Sequence, residues 1–274
     1  MQAETPSSWE KAVAELRGRA DAQELVKNCF YDDPLIDAAQ RYWQSTEWQA
    51  VRSYLPARSG AALDVGAGRG ISAYALARDG WRVVALEPDP GDVVGAGAIR
   101  SLARDSGLAI EVTQTWGEEL PFASNTFDLV HCRQVLHHAR DLRRLCQQLG
   151  RVLKPGGRFV ATRDHVISRQ NDLTVFLANH PLHKFYGGES AYLLAEYTEA
   201  IKAGGMRVDH VLNPMQSNIN LFPATLASVK ESWAKKLRLT SGRWVPDFAL
   251  ALAGERSSVP GRLYSFIATK LSRV

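Results

Sequence analysis

Residues 63–70 read LDVGAGRG: an apolar run holding one acid, then glycines at 66, 68 and 70. The run Ala61–Val65 predicts a short strand, and Ile71–Arg78 predicts a helix that Gly80 closes. A glycine-rich turn between strand and helix lets a nucleotide lie directly on the backbone. The spacing narrows which nucleotide. A dinucleotide turn needs G-x-G-x-x-G, and here the third glycine comes one residue early, with Ile71 in the place it would hold. No Gly-Lys-Ser/Thr follows, so the turn is not a Walker loop either. Residues 81–86 predict a second strand that ends at Glu87-Pro88, 17 residues after Gly70. A carboxylate there can accept hydrogen bonds from both hydroxyls of an adenosine ribose and disfavours a 2′-phosphate.

Outward from this turn the alternation continues. Residues 92–106 predict a helix, 108–113 a third strand, 127–132 a fourth, 142–153 a helix closed by Lys154-Pro155-Gly156-Gly157, and 158–163 a fifth strand. Strands alternating with helices imply right-handed crossovers and a mostly parallel sheet. After residue 168 the pattern loosens: a helix over 189–203, a sixth strand at Met206–Leu212, mostly helix over 217–240, and a last strand over 262–270. Upstream lie helices over 7–20, with Ser7 and Glu10 at capping-box spacing, and over 34–55, ended by Pro56 and Ser59-Gly60. The expected organisation is a helical N-terminal cap over 1–60. A catalytic-type α/β domain over 61–274 follows, with insertions at about 168–190 and 217–260.

The stretches LDVGAGRG (63–70), VVALEPD (83–89), EELPFASNTFDLVHCRQVLHH (118–138) and LGRVLKPGGRFVATRD (149–164) together resemble the class I S-adenosylmethionine-dependent methyltransferases, in particular their small-molecule branch. The likeness covers over a third of the chain in the family's order and spacing. It implies a Rossmann-like, doubly wound, seven-stranded sheet whose last strand is antiparallel. It also implies S-adenosylmethionine as cofactor, with S-adenosylhomocysteine as product. Asp64, Gly66, Ala67 and Gly68 would hold the methionine end, Glu87 and Pro88 the ribose, and Arg133 and Gln134 the region of the sulfonium. Many members carry an aspartate for the adenine amino group where this chain has Trp116, followed by Gly117. Trp116 is a candidate to stack on adenine, with backbone groups of Trp116 and Gly117 reading its edge; the alternative is a core tryptophan.

Composition sets the remaining bounds. Apolar residues make up 45% and charged residues 23% of 274, ordinary for a soluble globular protein with an ample core. The polar start MQAETPSSWEK suggests no signal peptide, and no run approaches the ~18 apolar residues of a membrane span. The three cysteines, Cys29, Cys132 and Cys146, form no Cys-x-x-Cys pair, and a reducing cytoplasm fits. The net charge of +4 is carried by residues 230–243, with five basic residues against one acid. This face is either plain solvated surface or a footprint for RNA.

Methyl transfer to an alcohol or phenol needs a proton acceptor, and histidine suits neutral pH. His165, beside Arg163 and Asp164 after the fifth strand, is the first candidate base, with His138 the second. Arg163 would bind the acceptor, and Asp164 could orient His165 only across a turn, since successive strand residues point to opposite faces. His131, inside the fourth strand, reads as structural. The segment NHPLHKFYGGESAY (179–192) supplies His183 and Tyr186 as acceptor-pocket candidates. His180 and His183 lack a third ligand of convincing spacing, so no metal is assigned. The expected function is O-methylation of a small-molecule acceptor, with no membrane or nucleic-acid partner. The alternatives are an RNA methyltransferase and a cofactor-binding module that transfers nothing.

Overall fold

A computed structural model describes residues 9–183 and 187–272. The N-terminal helices are α1 (Trp9–Gly18), α2 (Gln23–Asn28), α3 (Leu35–Gln44) and α4 (Thr46–Arg52). Ser7 lies outside the described residues, and Glu10 instead accepts a 2.7 Å hydrogen bond from the Val93 amide. The stretch over 34–55 divides at Ser45, whose hydroxyl caps α4 by accepting from the Trp48 amide.

The α/β part runs β1 (Ala61–Val65), α5 (Ile71–Arg78), β2 (Arg82–Leu86), α6 (Ala96–Ser106), β3 (Ile110–Thr113), β4 (Phe127–Arg133), α7 (Leu142–Val152) and β5 (Leu153–Ile167). Then come α8 (Asp172–Asn179), β6 (Tyr192–Leu193), α9 (Leu194–Ala203) and β7 (Met206–Leu212). The chain ends with α10 (Asn218–Leu221), α11 (Leu226–Lys236), α12 (Asp247–Arg256) and β8 (Arg262–Lys270). The sheet order is β3-β2-β1-β4-β5-β8-β7, with β6 beside β5. Strands β1 to β5 pair in parallel, while β8 runs antiparallel between β5 and β7. Order reverses between β1 and β4, so the carboxyl end of β1 is the switch point where such sheets bind ligands.

Two local features depart from the sequence expectation. The helix expected over 189–203 begins at Leu194, because Tyr192 and Leu193 extend to pair with Val166 and Ile167, adding an eighth strand. Strand β5 also runs past Arg163 to Ile167, and the chain bulges there instead of turning. Arg163 takes φ +62° at this bulge, and its amide donates to Ser265 Oγ at 3.1 Å.

One face of the sheet packs on α7 and α9 through residues such as Leu145, Leu149, Tyr197 and Ile201. The other face packs on α3 to α6, and its cluster includes Phe30, Tyr42, Trp48, Leu76 and Ile99. Helices α3 and α4 therefore share a core with the sheet, while α1 and α2 pack on each other around Leu16 and Val26. A polar clamp adds to this. Asp79, just after α5, accepts from Trp43 Nε1 (2.7 Å), Trp48 Nε1 (2.8 Å) and both arms of Arg52 (2.6 and 2.8 Å).

Candidate active site

The glycine turn opens onto a cavity of about 760 Å³ at the carboxyl edge of the sheet. Helices α1 and α2 cover it through Trp9 and Leu25, followed by Cys29 to Tyr31, and residues 180–182 and 188–189 close the far side. Among the described residues, none of 217–260 lines it. That insertion backs the wall instead: Phe222 stacks on Phe30 at 5.4 Å, and the carbonyls of Ile219 and Phe222 accept from Arg163. The basic stretch 230–243 lies on the insertion, away from the cavity, and Lys230 is paired with Asp247.

All ten residues read from the sequence as cofactor ligands line this one cavity: Asp64, Gly66, Ala67, Gly68, Glu87, Pro88, Trp116, Gly117, Arg133 and Gln134. Gly66 and Gly68 hold φ +59° and +56°, which only glycine adopts freely. A Cβ on Gly66 would strike Val135, whereas one on Gly68 would point into open space. Glu87 is held by the backbone: Oε2 accepts from the Gly68 amide at 2.7 Å and Oε1 from the Asp89 amide at 3.0 Å. Burial pushes its carboxyl up to about 7, against the pull of those two amides. Asp64 is almost fully buried; its Oδ1 lies 2.8 Å from His131 Nδ1, and its Oδ2 accepts no hydrogen bond from the described residues. His131 thus orients Asp64. Trp116 is not a core residue: it is 52% exposed at the cavity mouth, with the Arg140 guanidinium 4.3 Å over its ring.

Arg133 is less free than its sequence position implies. Glu47, on α4 and wholly buried, grips it with two bonds of 2.7 and 3.0 Å, and Gln134 Oε1 takes a third at 2.9 Å. Glu47 also lies 3.9 Å from Arg163. Burial would raise the Glu47 carboxyl, but the two guanidiniums hold it below the usual range. Arg163 lines the cavity with its NH1 committed to the two carbonyls above.

The acceptor side departs from the sequence expectation at Asp164 and at His183. Asp164 does not orient His165, because the bulged strand sends the two side chains apart. Its Oδ1 instead binds His137, at 2.9 Å from the ring Nδ1 and 3.2 Å from the amide. His165 directs its own Nδ1 at the Gly261 carbonyl, 2.7 Å away, and His138 directs Nδ1 at the Gly188 carbonyl, 3.0 Å away. Both therefore carry the proton on Nδ1 and leave Nε2 as an acceptor. His183 does not line the cavity; its amide donates to His180 Nδ1 at 3.3 Å. Tyr186 lies outside the described residues.

Glu189, unremarked in the sequence, sits buried after Gly187 and Gly188, which both take positive φ. It lies 3.5 Å from His137 Nε2, and 3.9 Å from both His138 Nε2 and His180 Nδ1. The charges then sort by partner. Burial lowers His137, but the hydrogen bonds it donates to Asp164 and Glu189 outweigh it and raise the ring to about 9. Burial, then repulsion from His137, lowers His138 to about 4 and His165 to about 3. At neutral pH one imidazolium sits between two carboxylates, and its histidine neighbours are neutral.

Residues 63–161 match the methyltransferase domain family. Ubiquinone biosynthesis O-methyltransferase of Azorhizobium caulinodans is 33% identical over 106 residues, which is 39% of this chain and 41% of that protein. The chain thus spans under half the length of this curated relative. Among solved structures, the [4+2]-cyclase SpnF superposes with a TM-score of 0.56 at 21% identity, over 86% of this chain and 82% of that one. Geranyl diphosphate C-methyltransferase of Streptomyces coelicolor A3(2), solved with S-adenosyl-L-homocysteine, gives 0.57 at 16% identity, over 99% and 87%. At these identities the structures share the fold. A cyclase among them shows that the fold alone does not fix the chemistry.

Proposed function

From the match of residues 63–161 to the methyltransferase domain family, we propose that this stretch is a methyltransferase domain of the class I type and that the protein transfers a methyl group from S-adenosylmethionine to an oxygen of a small molecule. The observation that carries this reading is that one cavity holds both the glycine turn with Glu87 and the histidine-lined wall. The residues fit the cofactor. Gly68 leaves open space above its Cα, a buried Asp64 oxygen has no partner among the described residues, and each Glu87 oxygen keeps accepting capacity beyond its single backbone bond.

Bound there, S-adenosylmethionine supplies an electrophilic methyl on its sulfonium. In this reading the amides of the turn and Asp64 bind its amino-acid end, Glu87 the ribose, and Trp116 the face of the adenine. The α1–α2 cover, together with 180–182 and 188–189, excludes water, so orientation supplies most of the rate. His165 and His138 offer Nε2 to the hydroxyl of the acceptor. Both are weak proton acceptors, which suits an acceptor already acidic, such as a phenol. The same reading makes the N-terminal helices a cap and 217–260 a supporting insertion. Oxygen as the target is supported by these neutral imidazoles and by the O-methyltransferase relative. Methyl-transfer assays with labelled cofactor across hydroxyl, amine and carbon acceptors test it. Labelling confined to amines or carbons would replace the oxygen assignment.

A further inference from the structure

The sequence scatters His137, His165 and Glu189 over 53 positions, yet the fold brings one ligand atom from each within 4.8 Å of the others, all three buried. Two more rings crowd the same carboxylate, His138 and His180. Ring centroids stand 4.1 Å apart for His137–His138, 4.7 Å for His137–His165 and 5.1 Å for His165–His180. Apolar rings would fill such a wall without the cost of burying polar nitrogens.

The outer contacts are those that metal-binding histidines use. A ligating histidine donates its other ring N–H to a carboxylate or a backbone carbonyl, which fixes the tautomer and aims the free nitrogen. His137 makes the carboxylate version with Asp164, and His165 makes the carbonyl version with Gly261. His165 keeps Nε2 as a lone-pair nitrogen, whereas His137 Nε2 carries a proton toward Glu189 in the ion-free state, and a bound cation takes the place of that proton.

We propose that His137 Nε2, His165 Nε2 and the Glu189 carboxylate form a binding site for a divalent first-row transition-metal ion in the wall of the acceptor cavity. Two imidazoles and one carboxylate favour zinc, iron, cobalt or manganese over magnesium or calcium, which take oxygen ligands. Ligands at ~2.1 Å from an ion stand about 3.4 Å apart; His137 Nε2 and Glu189 are already at 3.5 Å, and the widest pair closes by at most about 1.4 Å on binding. Three protein ligands leave a coordination position open to the cavity. Resting on the function proposed above, that position takes the hydroxyl oxygen of the acceptor, and His138 is left to receive its proton.

The test uses the full chain, freed of metal by dialysis against a chelator and titrated with Co²⁺ alone. The expected result is one equivalent bound, with visible ligand-field absorption. Glu189→Gln and His165→Ala should each weaken it at least about tenfold while keeping the far-ultraviolet circular dichroism of the parent. Should either variant fail to fold, the parent protein still decides the matter. Bound Co²⁺ must shift the imidazole proton resonances of His137 and His165. No ligand-field band, equal affinity in the variants, or unshifted resonances would each overturn the site and leave only a proton shared within the cluster. Cofactor binding, titrated separately by calorimetry, reports on the proposed function and not on the ion.

Discussion

The Glu87 carboxylate accepts a 2.7 Å hydrogen bond from the amide of Gly68, 19 positions earlier in the chain. The end of β2 and the glycine turn are therefore one unit. A ligand that engages one meets the other.

This pairing makes cofactor affinity depend on pH. Burial holds the free Glu87 carboxyl up at about 7, and ribose hydroxyls donate best to the ionised form. Affinity for S-adenosylmethionine should rise with pH through about 7, roughly tenfold between pH 6 and pH 8. Calorimetry across that range, in buffers of different ionisation enthalpy, should also show proton release on binding. Without ligand the sign reverses for stability. The folded value lies above the ordinary 4.5, so the contribution of the protonated form is full below pH 4.5 and is lost as pH rises through 7. An upper figure for that loss is about 3 kcal/mol. Glu87→Gln should flatten both profiles.

Gly68→Val should abolish cofactor binding while the protein still folds. The new Cβ has no protein atom within 4 Å and opens onto the space above the turn, although φ +56° costs it about 1–2 kcal/mol. Thermal melting and calorimetry on one sample separate the two effects. Normal affinity in this variant would mean that nothing lies against the turn.

Asp79→Ala should destabilise the fold by about 2–4 kcal/mol, because it leaves two indole N–H groups and Arg52 without their acceptor. Burial raises the Asp79 carboxyl, but its bonds to Arg52, Trp43 and Trp48 outweigh that and hold it below 3.8. Its stabilisation is thus present above pH 3.8 and disappears as acid protonates it. Chemical denaturation at pH 7 measures the loss, and a shift within about 0.5 kcal/mol of the parent would mean that the clamp is dispensable.

Glu47→Gln should lower turnover more than cofactor affinity. It keeps the shape but removes the charge that holds Arg133 and leaves two buried guanidiniums facing each other. Comparing kcat, KM and cofactor Kd with the parent tests this. A change in Kd alone would mean that Glu47 acts through Arg133 on the cofactor and not through Arg163 on the acceptor.

The fold was legible where local pattern controls it. Residues 61–65, 71–78, 206–212 and 262–270 form the elements their periodicity implies, because an apolar strand or a glycine stop is written within a few residues. Strand β6 was not legible: two residues carry no period, and Tyr192–Leu193 are extended only because β5 offers them a partner. The bulge at Arg163 is equally a property of β8, through Ser265.

The site divides in the same way. The turn and Glu87 share one βα unit, so spacing reveals them. Glu47 and Arg133 stand 86 positions apart, and the Thr46-Glu47-Trp48 stretch reads as an ordinary first turn of a helix. Asp164 looked like a partner for its neighbour in sequence, but strand geometry gave it to His137. Glu189 follows two glycines and stands 52 positions from His137, so no local spacing ties it to the histidines it meets.

The measurement that bears most directly on the whole account is calorimetric titration of the protein with S-adenosylmethionine and S-adenosylhomocysteine, with NAD as control. One site in the micromolar range is expected for each of the first two, with no heat from NAD. Absence of binding by both, or binding of NAD in their place, would contradict it.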